Sequence, residues 1–76
     1  MTDRSPAMAG EAARALVDEL AAHPDPAAFQ ELISLSDHVG RALGASARLL
    51  AEAGSWSEVA TYAGTSKQAA WSRWRL

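Results

Sequence analysis

Eighteen of the 76 residues are alanine, and only seven are β-branched: Thr2, Val17, Ile33, Val39, Val59, Thr61 and Thr65. Alanine loses no side-chain freedom in a helix, and so few β-branched side chains leave little to clothe a pleated sheet. The expected fold class is therefore all-α. A chain of 76 residues has room for one small domain, residues 1–76, with a thin core. The absence of cysteine excludes a disulfide framework and a thiolate metal site. Residues 1–10 lack the basic-then-apolar order of a secretory signal. No apolar run approaches the roughly 18 residues a membrane span needs. A cytoplasmic location with no membrane partner is the expectation.

Punctuation divides the chain into about four helices. Residues 1–5 read as a polar leader, and Ser5-Pro6 as a helix start, with Ser as cap and Pro in the first turn. From Ala7 to His23, the residues Ala13, Leu16, Val17, Leu20 and Ala21 recur at helical spacing. Pro24 drives His23 out of the helical region, and Asp25-Pro26 can cap and open the next helix. From Pro26 to Ala53 no strong breaker occurs. Phe29, Leu32, Ile33, Val39, Leu43, Ala47 and Leu50 form one stripe, with Ser36 and Gly40 within it, and Leu35, Ala42 and Leu49 lie beside it. So wide an apolar arc suits a helix touched on two sides. Gly40 and Gly44 would either bend this helix or admit another backbone. Residues 6–53 are thus expected to be two supporting helices, the second one long. Gly54 is a natural C-cap, and Ser55-Trp56-Ser57-Glu58 has the spacing of a reciprocal capping box.

Residues 55–76 carry the one constellation with a function. A short helix over Trp56–Ala63, a glycine turn at Gly64 and a short helix capped by Thr65 or Ser66 make a helix-turn-helix. Ala60 and Ala70 are small where two steeply crossing helices must approach, and Val59, Tyr62, Trp56 and Trp74 can fill the surrounding space. On the second helix, Thr65 and Ser66 offer hydroxyls and free amides to a phosphate. Lys67 offers a charge to a phosphate or guanine. Gln68 can pair with an adenine edge, Ser72 lies one turn later on the same side, and Arg75 continues that line. Trp71 either packs on a sugar or thymine methyl or belongs to the core, the commoner fate of an isolated tryptophan.

Charge agrees with this division. Residues 1–38 hold seven acids and two bases; residues 39–76 hold two acids (Glu52, Glu58) and five bases (Arg41, Arg48, Lys67, Arg73, Arg75). Residues 65–76 contain three bases and no acid. Such asymmetry suggests that one end faces a polyanion, although five bases are also compatible with an ordinary solvated surface.

The segment W-S-E-V-A-T-Y-A-G-T-S-K-Q-A-A-W-S-R-W, Trp56 to Trp74, resembles the helix-turn-helix of small actinobacterial DNA-binding proteins, whose pattern is close to W-x-E/D-I-A-x-x-L-G-V-S-R-Q-A-A-W-x-R-F. It departs in Ala63 for Leu, Thr65 for Val, Lys67 for Arg and Trp74 for Phe. The first two reduce apolar packing at the turn; the last two preserve character. Over the whole chain it is similar to the short nucleoid-associated proteins of streptomycetes. The resemblance implies sequence-influenced binding of double-stranded DNA, in the nucleoid, through Thr65, Ser66, Lys67, Gln68, Trp71, Ser72, Arg73 and Arg75. A gene-specific repressor, or a protein–protein adaptor that uses the same fold without DNA, is the alternative.

No catalytic residue, cofactor or metal site is expected. There is no glycine-rich phosphate loop and no nucleophile beside a base. Glu58 reads as a cap. His23 and His38 lack companions at ligand spacing. No small-molecule pocket is expected in so small a helical domain. The stripes of residues 6–53 hold more apolar surface than two short helices can cover, so self-association through the N-terminal helices is expected.

Overall fold

The computed structural model describes residues 4–76. Among the described residues there are four helices and no strand: α1 (Pro6–Ala21), α2 (Pro26–Ala53), α3 (Trp56–Ala63) and α4 (Lys67–Trp74). The protein is all-α. Residues 1–3 of the expected leader lie outside the described residues. Ser5 caps α1, its Oγ accepting the Met8 amide at 3.2 Å. The chain divides into two compact units, Met1–Ser36 and Asp37–Leu76, and α2 runs through both. The division falls inside α2 and not at Gly54, because the second half of α2 supplies Ala47 and Ala51 to the packing of α3 and α4.

In the first unit, α1 ends at Ala21, two residues before His23, as Pro24 requires. The His23 amide still reaches the Leu20 carbonyl at 3.1 Å. Asp25 then opens α2, its Oδ1 accepting the Ala27 amide at 2.9 Å. Ala28 is buried, but α1 carries no buried residue at all. Leu16, Val17, Phe29 and Ile33, all on the expected apolar stripes, are exposed.

The second unit holds a small core of Ala47, Val59, Ala60, Ala70 and Trp74, with Ala51 and Trp56 packed against it. Its helices are short and each end is tied. Ser55 Oγ accepts the Glu58 amide at 3.2 Å. The reciprocal half of the capping box is replaced: the Glu58 carboxylate lies over Gly54, where a Cβ would collide with it. A Cβ there would displace only that flexible carboxylate, and Gly54 does not adopt a left-handed turn. The only positive-φ glycine among the described residues is Gly64, at φ 69° and ψ 34°. There the Thr65 amide donates to the Ala60 carbonyl at 3.0 Å and the Gly64 amide to the Thr61 carbonyl at 3.3 Å. This pair of bonds is the Schellman closure. The turn is thus closed by backbone bonds despite Ala63 and Thr65. Ser66, not Thr65, caps α4, accepting the Ala69 amide at 3.1 Å.

α2 is an unbroken helix through Gly40 and Gly44. Gly40 faces open space, whereas Gly44 is buried and admits side chains of Arg48 and Trp74 rather than a backbone. No helix of the described residues is long and apolar enough to cross a membrane.

Candidate nucleic-acid interface

The crossing of α3 and α4 is built on two alanines. Ala60 and Ala70 are buried in the same cluster, Ala70 completely (0% exposed). With no side chain beyond Cβ, each lets the opposite helix approach closely. Trp74 (9% exposed) closes the cluster one turn after Ala70. The expected places of Ala60, Val59, Ala70 and Trp74 are met. Tyr62 departs from expectation: it is exposed and lines a shallow apolar groove with Leu43, Leu50 and Val59 instead of filling the crossing.

Burying Ala70 and Trp74 fixes the rotation of α4. At 100° per residue, Gln68 and Ser72 point away from that pair, Trp71 stands on one flank and Arg73 on the other; Lys67 lies within about 20° of the Trp74 direction and is exposed as the first residue of the helix. Thr65, Ser66, Lys67, Gln68, Trp71, Ser72, Arg73 and Arg75 are all exposed, so the fold brings the whole expected set to the outside of one helix and its ends. Ala69 shares the outward face and is exposed too. It is absent from the expected set, although its spacing from Ala70 and Trp74 contains the signal; its methyl is of the size that contacts a thymine methyl.

Several members stand differently from expectation. Ser66 Oγ already accepts the Ala69 amide, and the Thr65 amide is committed to Ala60. Within the first turn, the Lys67 and Gln68 amides are left to face an anion. Trp71 is not core: it is 46% exposed, and the Arg75 guanidinium lies 4.3 Å from its ring centroid. Arg75 does not continue the helical line of Gln68 and Ser72. α4 ends at Trp74, Arg75 is extended at φ −64° and ψ 155°, and its side chain turns back over Trp71. Such a cation–π pair holds the guanidinium plane while leaving its N–H edge free. Arg73 similarly lies 5.3 Å from the Trp74 ring centroid.

The two bases on α2 stand apart from α4's exposed set, Arg41 in an exposed ion pair and Arg48 turned inward. Arg41 pairs with Asp37 one turn earlier. Arg48 is half-buried, and its Nη1 donates to the Trp74 carbonyl at 2.8 Å. The cations left facing solvent around α4 are Lys67, Arg73 and Arg75. His23 and His38 are exposed, and no group of His, Asp and Glu able to hold a metal occurs among the described residues.

The chain matches no family model, no curated protein and no solved structure at a significant level. What the site does is therefore argued from its own residues.

Proposed function

We propose that the protein binds duplex DNA, with α4 as the reading helix in the major groove. One observation carries this reading: α4 turns Gln68 and Ser72 outward together, with Arg73 on one flank, Arg75 stacked on Trp71 on the other, and a fully buried alanine behind them. Gln68 is the base-reading group, Lys67 at the helix start and Arg73 on the flank are the phosphate contacts, and the Arg75–Trp71 pair meets sugar and phosphate at the helix end. The role is a nucleoid-associated or global one, or that of a gene-specific repressor; chromosome-wide immunoprecipitation separates thousands of weak sites from a handful of strong ones. The protein acts by binding and not by catalysis, and a second copy associates through Leu16, Val17, Phe29 and Ile33, which none of the described residues of their own unit covers.

A second reading, a protein-binding adaptor, is favoured by the apolar groove of Leu43, Leu50 and Tyr62. Substitution on α4 tells the two apart. Gln68→Ala lowers discrimination between a selected and a scrambled duplex by about 1–3 kcal/mol, whereas Arg75→Ala weakens binding to both alike. If Gln68→Ala binds both duplexes as the parent does, Gln68 is not a reading group.

A further inference from the structure

We propose that Arg48 is a positioning residue for DNA binding, setting the end of α4 from α2, and is not itself a phosphate contact. This rests on the DNA-reading role of α4. By type and charge Arg48 belongs with the other bases of residues 39–76, yet its guanidinium is drawn inward. It is half-buried and donates to the Trp74 carbonyl at 2.8 Å. That carbonyl is one of those a helix leaves without an intrahelical donor at its C-terminus, where a cation is also favoured by the helix dipole. An eight-residue helix is marginal by itself and depends on what ties its ends. Ser66 ties the start of α4, and Arg48 ties the end.

Gly44, one turn before Arg48 on α2, leaves room for the approach. A Cβ at Gly44 would stand 3.1 Å from Arg48 Nη1 and 3.8 Å from Trp74 Cδ1. The missing side chain is the space through which the guanidinium and the indole edge meet. The residue just after the tied carbonyl is Arg75, one of the proposed DNA contacts. Its amide donates to the Trp71 carbonyl at 3.0 Å, and its side chain then folds over the Trp71 ring. Holding the Trp74 carbonyl from α2 therefore fixes the point from which Arg75 turns. Arg48 acts through Arg75 and Trp71, on a side of the helix end that DNA does not need to touch.

Salt dependence separates a positioning residue from a contact. Removing a phosphate contact lowers the slope of log K against log salt by about 0.9, while removing a positioning group lowers K and leaves the slope alone. The experiment compares the full-length protein with Arg48→Met, Arg48→Lys and Arg75→Ala, on one duplex across a salt series. It also follows amide hydrogen exchange of Trp71 to Arg75 without DNA. Arg48→Met is expected to bind about tenfold more weakly, the worth of one charge-assisted hydrogen bond, with the parent's slope. Its Arg75 amide exchanges about tenfold faster while the Val59 and Ala60 amides keep their protection, and Arg48→Lys restores most of both. Arg75→Ala loses about 0.9 of slope. A slope loss in Arg48→Met equal to that of Arg75→Ala, or unchanged exchange at Arg75, overturns the proposal. If Arg48→Met fails to fold, the same two readouts on Arg48→Lys decide it: an unchanged slope and a protected Arg75 amide are expected, and exposure of that amide contradicts the clamp. Failure of the parent to bind any duplex refutes the DNA reading, and with it this role for Arg48, while the exchange measurement still reports whether Arg48 holds the end of α4.

Discussion

The two units of this chain are made from the same few residue types and end in opposite states. Residues 4–36 bury a single apolar residue, Ala28, and leave Leu16, Phe29 and Ile33 in solvent. Residues 37–76 bury Ala47, Val59, Ala60, Ala70 and Trp74 around one crossing. The difference is not hydrophobicity, for Leu16, Phe29 and Ile33 are each larger than the Ala47, Val59, Ala60 and Ala70 that the second unit buries. It lies in closure. The second unit has a left-handed glycine that reverses the chain in one turn, two serine caps, alanines where backbones must approach and tryptophans large enough to fill what remains. The first unit has periodic stripes and a Pro-Asp-Pro corner, but no small-residue crossing. Apolar periodicity names a face; it does not say what covers it.

The largest single effect expected from this contrast lies in the second unit. Trp74→Ala removes the largest side chain of a five-residue core and should cost about 3–5 kcal/mol, enough to unfold the helix-turn-helix. Thermal melting by circular dichroism reads it directly. Normal melting with loss of DNA binding would make Trp74 a contact residue and reverse the core assignment. The matching change in the first unit should behave differently. Phe29→Ser and Ile33→Ser are expected to leave melting of the second unit within about 0.5 kcal/mol, the usual range for exposed positions. Both should lower the mass seen by light scattering at high micromolar protein. A parent that is monomeric there, with and without DNA, would remove self-association from the account.

The smallest expected effect sharpens the comparison within α2. Gly40 faces open space on a helix, so Gly40→Ala should stabilise the protein by up to about 1 kcal/mol in a denaturant melt. Destabilisation would show that something approaches Gly40 closely in solution.

Most of the fold is legible in the sequence. Ser5, Pro24, Asp25-Pro26, Gly64 and Ser66 each act through local backbone chemistry, which depends on neighbours in sequence, and they bound α1, α2, α3 and α4 to within two residues. The exposed set on α4 is legible for a similar reason: once Ala70 and Trp74 point inward, the helical repeat assigns every other side chain. What is not legible depends on a contact distant in sequence or on which of several local options a side chain takes. Arg48 reads as one more surface base until it is seen 26 positions away at the Trp74 carbonyl. Arg41 is lost to Asp37, a pair that spacing alone leaves optional. Arg75 leaves the helical line because α4 stops one residue earlier, and its guanidinium lies over the exposed Trp71 ring. Tyr62 is large enough for the core, but two alanines already fill the crossing.

These corrections change the charge count on which binding depends, and so the measurement that tests the central claim. With Arg48 turned inward and Arg41 paired with Asp37 at the surface, Lys67, Arg73 and Arg75 remain to neutralise phosphates. At about 0.9 per phosphate, log K should fall against log salt with a slope of about −3 per monomer, and not the steeper value that all five bases would give. A fluorescence titration of the full chain onto a short duplex, repeated from low to physiological salt, provides that slope. A value near −3 is the result predicted. No binding to any duplex at low salt, or binding that salt does not weaken, would contradict DNA recognition by α4.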